Sequence, residues 1–453
     1  MNMKFKALLL PCIALLMSCN DDWLSVKRDI SLTIPSKLED VRALLNNNLL
    51  RYDNIGLAEL SAGEYEISDL AYNARQALER NGIIWAKDIY EGANPIVEWD
   101  NTYQQVLQCN VALETLANIN PTPSQQRLWD VLHGEALFFR AKAFFNMAQL
   151  FATPYDPLTV DSHMGIPLRL TADVNEKTSR AGLRQTYDQI IRDLTIASLK
   201  LDDLPLDIRQ TSRPAAFAAL ARCYLVMHDY EKAGLYADSA LQLQNKLLDF
   251  NAINTTPTYP ITPYNEEIIL SSTLFPVYGP LNRNVGSVPD EVMERYASND
   301  LRRSVFFIQK LDGSMGFRGS YLGSAFSFHG TTVAEMLLVR AECAVRSGNT
   351  EVSLADLNTL WEKRYVNGSF PQIDLLNPKD ILDLVLLERR KELIGRGARW
   401  MDLRRLNLDP ERAEVLSRSI NGVTYTLPPN DPRYVLPIPD YIVQATGIAQ
   451  NER

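Results

Sequence analysis

Apolar residues keep a helical period over some stretches of this chain and lose it over others, and that alternation divides the sequence. The sharpest stretch runs from Ser212 to Gln244. There Phe217, Leu220, Ala221 and Tyr224 fall at i, i+3, i+4 and i+7, so they share one face of a helix. His228-Asp229 is read as a turn, and Ala233, Ala237 and Ala240 mark the facing side of a second helix. Ser212 is expected to cap the first helix, and Pro214 suits its first turn, where the missing N–H is no loss. Two such helices cannot bury their apolar faces alone and require neighbours.

The spacings match a tetratricopeptide unit, with small residues at the helix crossing and an aromatic plug at Tyr224, although Ala237 stands where an aromatic is usual. An ordinary helical hairpin is the alternative. Trp99, Tyr103, Val106, Asn110 and Leu113 repeat at helical spacing before Pro121 and Pro123, and Leu137, Arg140, Ala141 and Phe144 then restate the register of the Phe217 helix. Arg140 occupies a position where Leu is usual. Periodicity predicts helical repeats over about 97–151, 184–244, 331–365 and 380–406. Two regions break the pattern: 60–98, with an Asn81-Gly82 turn, and 245–330, where Pro, Gly, Asn and Tyr interrupt short apolar runs. The expected fold is mainly α, a tetratricopeptide-like helical-repeat scaffold with an irregular loop-rich lobe, formed by residues 31–453 as one domain.

The start of the chain reads differently. Lys4 and Lys6 precede an apolar run, Ala7 to Met17, too short to span a bilayer, which is the pattern of a signal peptide over residues 1–18. Leu16-Met17-Ser18-Cys19 resembles the bacterial lipobox, so Cys19 is expected to be lipidated and to become the first residue after cleavage. Residues 19–30, opening with Asn20-Asp21-Asp22, then form an acidic tether. Several acyl chains on one residue hold a protein at a membrane surface far more firmly than one.

Charge narrows the function. Two of the 46 Lys and Arg leave with the signal, which sets 44 basic against 55 acidic residues, a net of −11. That sign disfavours nucleic acid as a partner. Cys109, Cys223 and Cys343 lie within helical patterns and are expected as small buried residues rather than a disulfide framework. His133, His163, His228 and His329 make no metal-ligand spacing, and no GxSxG, Walker or dinucleotide fingerprint occurs, so no cofactor is expected. Glu388 and Glu392 sit at i, i+4 among arginines and are expected to serve ion pairs, not catalysis. Trp99, Trp129, Trp361 and Trp400 lie on scaffold segments and are expected in the core, which leaves Trp85 outside it.

The ordered set of these features resembles the SusD/RagB family: the lipobox, the Trp99 to Asn110 helix, EALFFRAKAFF (135–145), AEMLLVRAE (334–342), Glu388 to Leu393 followed by Arg399-Trp400-Met401-Asp402-Leu403, and Leu436-Pro437-Ile438-Pro439 with Gln450-Asn451. Gly395-Arg396-Gly397 departs from the family's usual aromatic-Glu-Gly, and the chain is short. The resemblance implies a non-catalytic, lipid-anchored protein of the outer membrane, exposed at the cell surface, that captures a nutrient for a TonB-dependent outer-membrane transporter. The implied nutrient is an oligosaccharide, with a peptide as alternative. A surface glycosidase is a third reading without a motif behind it, because its carboxylate pair is defined by spatial separation. The resemblance further implies ligand contacts from the two irregular regions, whose aromatics are Tyr65, Tyr72, Trp85 and Tyr90 in the first and Tyr278, Tyr296 and Tyr321 in the second. Together these are expected to form an exposed aromatic patch.

Overall fold

A computed structural model describes residues 35–204, 210–371 and 377–453. The signal peptide, Cys19 and the acidic tether lie outside the described residues. Four short helices open the described chain: α1 (Leu38–Leu45), α2 (Gly56–Ala62), α3 (Asp69–Asn73) and α4 (Ala77–Ile83). The scaffold follows with α5 (Val97–Ala117), α6 (Gln126–Phe151), α7 (Leu183–Lys200), α8 (Arg213–Val226) and α9 (Tyr230–Leu243). After a loop-rich lobe holding the one-turn helices α10 (Asp290–Met293) and α11 (Arg302–Val305), it resumes with α12 (Val333–Arg346), α13 (Thr350–Arg364), α14 (Pro378–Glu392) and α15 (Ala398–Leu406); α16 (Asp440–Thr446) comes last. From α5 to α9 each helix packs on the next, and α12 docks on α9, so the lobe is an excursion between two stacked neighbours. This is the mainly helical, tetratricopeptide-like scaffold that the periodicity predicts.

Local chemistry sets the helix ends. Ser212 Oγ accepts from the Ala215 N–H at 3.4 Å and Pro214 occupies the first turn of α8. Asp229 caps α9 through the Lys232 N–H at 3.1 Å, after His228 has turned the chain at φ +62°. Thr332, Asn349 and Asn377 cap α12, α13 and α14 in the same way. Small residues then allow close crossing: Ala221, Ala233, Ala237 and Ala240 are buried, and a Cβ on Gly234 would come within 3.0 Å of Cys343 Cβ on α12. The aromatic missing at Ala237 is supplied one residue earlier. Tyr236 stacks on Tyr224, 5.6 Å between centroids and 1° between planes. Arg140 is accommodated in place of Leu because α7 delivers Asp193 to it in a bidentate pair (2.8 and 2.9 Å) and Asn110 of α5 accepts a third bond at 3.0 Å.

One expectation fails here. Asn81-Gly82 is not a turn but lies inside α4. The reason is packing: a Cβ on Gly82 would meet Leu60 Cδ2 at 2.7 Å, so the glycine serves the close approach of α2 rather than a change of direction.

Eight short strands occur among the described residues: β1 (Tyr52–Asn54), β2 (Ile268–Leu270), β3 (Thr273–Phe275), β4 (Phe307–Gln309), β5 (Met315–Phe317), β6 (Thr331–Thr332), β7 (Leu416–Ile420) and β8 (Val423–Leu427). They join only in pairs, β1 with β3 in parallel and the other three pairs antiparallel. The lobe is irregular yet has its own core, in which Phe250, Val305, Phe306, Phe307 and Phe328 gather around Tyr296 and Tyr321. Cys109, Cys223 and Cys343 are free and buried, and burial pushes the Cys109 thiol up to about 12.

Candidate functional site

A large cleft begins where α2 ends. All seven residues of α2 are buried, and the chain leaves it through Gly63, whose N–H donates back to the Glu59 carbonyl at 2.7 Å. The next residues run extended, and Glu66 exchanges backbone bonds with Ser287 of the lobe at 2.7 and 3.0 Å. On the far side stands the hairpin of β7 and β8, closed by Asn421-Gly422 with φ values of 50° and 75°. Between Ala62–Ser68, Ser287–Arg295 and Val415–Ile420 lies a cleft of about 700 Å³.

Arg418 of β7 ties these walls together. Its guanidinium donates to the carbonyls of Leu60 (3.1 Å), Ile83 (2.7 Å), Ser61 (3.2 Å) and Gly63 (3.2 Å), and so caps the C-terminal ends of α2 and α4. Its carbon lies 4.6 Å from the centre of the Tyr65 ring and 4.8 Å from that of Trp85. At one end of the cleft Glu64 is gripped by Arg295 and by Arg390 (2.5 Å), and Arg390 passes on to Glu414 at 3.1 Å. Behind this pair Glu59 accepts from the Gly397 N–H at 2.8 Å, and burial pushes its carboxyl up to about 7.

Of the aromatics singled out in the sequence, the structure brings two to this cleft. Tyr65 is half-buried in its wall and donates its hydroxyl to the Leu60 carbonyl at 2.6 Å; burial pushes its phenol up to about 12. Trp85 borders the cleft but is itself packed away. It is 2% exposed, sits at φ +53° and donates Nε1 to the Ser61 carbonyl at 3.0 Å. The expected exposed patch does not form from the others. Tyr72 is buried; Tyr90 donates to the Pro437 carbonyl (2.8 Å), Tyr278 to Glu98 (2.9 Å), Tyr296 to the Lys391 carbonyl (2.9 Å) and Tyr321 to Glu267 (3.0 Å), all from buried positions. A tyrosine whose ring is packed and whose hydroxyl finds an internal acceptor belongs to the core that surrounds it. The rings that do stand out on the lobe are Tyr264, 52% exposed, and Phe326, 56% exposed, on neighbouring loops.

Sequence reasoning missed the third wall. Residues 414–420 lie in neither region where the helical pattern breaks, although Asn-Gly between Leu416-x-Arg418-x-Ile420 and Val423-x-Tyr425-x-Leu427 is a hairpin signal. Glu388 and Glu392 do form ion pairs, but with Arg302 and Arg364 from distant segments. Trp99, Trp361 and Trp400 are buried, and Trp129 is half-buried against His133. Among the described residues no group of His, Cys, Asp and Glu is placed to hold a metal ion.

Scaffold and cleft together define a class: a helical-repeat protein whose walls, contributed by an inserted lobe and a hairpin, enclose one large polar cleft. Comparison with known proteins refines this. A family model described as starch-binding associating with outer membrane matches residues 22–225, and the model of the SusD family matches residues 333–452. The chain belongs to the SusD/RagB family. SusD-like protein P38 of Formosa agariphila is 22% identical over 404 residues, covering 74% of this chain and 76% of that protein. Among solved structures, a SusD superfamily protein of Bacteroides thetaiotaomicron is 20% identical, with 92% and 100% of the two chains covered and a TM-score of 0.74. A SusD-like carbohydrate binding protein of Bacteroides vulgatus is 17% identical, with 91% and 97% covered and a TM-score of 0.71. At that identity these two speak for the fold.

Proposed function

We propose that this protein is a cell-surface lipoprotein of the outer membrane that binds an oligosaccharide in the cleft between residues 62–68, 287–295 and 415–420 and passes it to a partner TonB-dependent transporter. The observation that carries the reading is the cleft itself, of about 700 Å³ and placed on the scaffold of a family described as starch-binding and associated with the outer membrane. Leu16-Met17-Ser18-Cys19 supports the anchor through a lipidated Cys19. Among the described residues no helix is long and apolar enough to cross a membrane. The role is capture without turnover.

A peptide is the second reading. It is favoured by β7, which is paired on one side only and contributes all its residues to the cleft wall, an arrangement that suits an added extended strand.

The test has two arms. Cells expressing wild type should hold the protein in outer-membrane fractions and be labelled by antibody while intact, and Cys19→Ala should release it; retention of that variant without the transporter argues against the anchor. Purified protein titrated with neutral oligosaccharides should bind without releasing reducing ends. Saturable binding of oligopeptides instead, with no glycan response, would favour the second reading.

A further inference from the structure

The charges of the cleft deepen that reading, and the inference rests on glycan being the ligand. Three arginines line it, and each is already engaged. Arg418 donates to four backbone carbonyls, Arg390 bridges Glu64 and Glu414, and Arg295 holds the other side of Glu64. Arg283, in the smaller adjoining cavity, lies over the Tyr259 ring at 4.8 Å and donates to the Thr258 carbonyl. Of the carboxylates, Glu64 and Glu414 are neutralised by these arginines and by Arg399. Glu66 and Glu291 are different. Both are exposed, both line the cleft, and neither has a cation within ion-pair distance among the described residues. Ser417 and Ser419, exposed on the one-sided strand β7, add hydroxyls to the same wall.

We infer that the cleft selects oligosaccharides without carboxylate or sulfate groups and favours those carrying free amino groups. An anionic sugar entering it has no unengaged guanidinium to meet. It must break an Arg–Glu pair or lie beside Glu66 and Glu291 with like charge. Sugar hydroxyls, in contrast, donate to those two carboxylates in charge-assisted bonds, and an ammonium group adds attraction. The side chains that hold the walls together are thus the ones that leave the cleft acceptor-rich.

The full mature protein is screened against an oligosaccharide array in which each linkage is printed in neutral, amino and uronate or sulfated forms, and hits are titrated calorimetrically at low and physiological salt. Binding should be confined to neutral and amino forms. Combining Glu66→Gln with Glu291→Gln should weaken an amino form about tenfold, with unchanged melting temperature. Anionic forms that bind and compete with neutral ones overturn the selectivity while leaving glycan binding intact. Glycan binding indifferent to both substitutions removes these residues from the site. No glycan binding, with a lysine-containing oligopeptide bound instead, overturns the inference and the glycan reading together.

Discussion

Two of the regions in which this protein buries carboxylates do so on opposite terms. At the junction of α13, α14 and the lobe, Arg302 and Arg364 are fully buried. Arg302 meets Asp300 (2.8 Å), Glu388 (2.7 Å) and Glu392 (3.2 Å), and Arg364 meets Glu267 (2.8 Å) and Glu392 (2.9 Å). Burial pushes Glu392 up, but Arg364 and Arg302 outweigh it and hold the carboxyl below its usual range. Asp402 is held down in the same way by Arg389 and Arg405. Around α2 no guanidinium forms an ion pair with the buried carboxylates, Arg418 being spent on backbone carbonyls. Glu98 accepts from the Leu57 N–H (3.0 Å) and from Tyr278 (2.9 Å), its Oε2 has no partner, and burial pushes it up to about 7; Glu59 reaches about 7 as well. Depth alone therefore does not decide ionisation. Between these two regions the difference is whether other segments of the chain deliver cations to the carboxylate.

The largest effects should come from removing what each region depends on. Arg364→Ala leaves Glu267 and Glu392 without their main partner and should cost about 3 to 5 kcal/mol in denaturant unfolding. A loss under about 1 kcal/mol would mean that water reaches the junction. Trp85→Ala belongs to the same size class, about 3 to 5 kcal/mol, because the indole is packed beneath Arg418 and not displayed. An unchanged melting temperature with weakened glycan binding would instead place Trp85 in an exposed aromatic patch that contacts the ligand.

The two regions should also part company with pH. Glu59 and Glu98 have folded values above the unfolded one, so their stabilising contribution is full below about pH 4.5 and disappears as pH rises through about 7. Each raised carboxyl is worth up to about 3 kcal/mol across that window. Glu392 and Asp402, with depressed values, act in the reverse sense: their contribution is present above the ordinary carboxylate range and is lost as pH falls through the lowered values. Melting temperature should pass through a maximum. Glu98→Gln should flatten its alkaline side between about pH 5 and about pH 8 and leave the acid side unchanged. A slope identical to wild type would show that Glu98 is ionised throughout. The smallest effect is expected from Tyr65→Phe, which removes one bond to the Leu60 carbonyl and should cost about 1 kcal/mol, read as a small shift in the urea midpoint.

The scaffold helices α5–α9 and α12–α15, their order and many of their ends were determined by the sequence alone. Ser212 capping α8, the buried Ala233, Ala237 and Ala240 and the three buried cysteines follow from residues three or four positions apart, where helix geometry makes neighbours. The irregular character of 245–330 was legible too, as were two of the three cleft walls. Tertiary structure alone decided the partners. Glu392 lies 90 residues from Arg302, and Glu267 lies 97 from Arg364. No spacing rule reaches across such distances. It also decided that Tyr90, Tyr278, Tyr296 and Tyr321 fill cores while Tyr65 faces the cleft, and that Gly82 is packed inside a helix. An aromatic in a loop-rich segment has no periodic neighbours to show which way it points; its burial depends on which other segments close over it, and that is settled only when they meet.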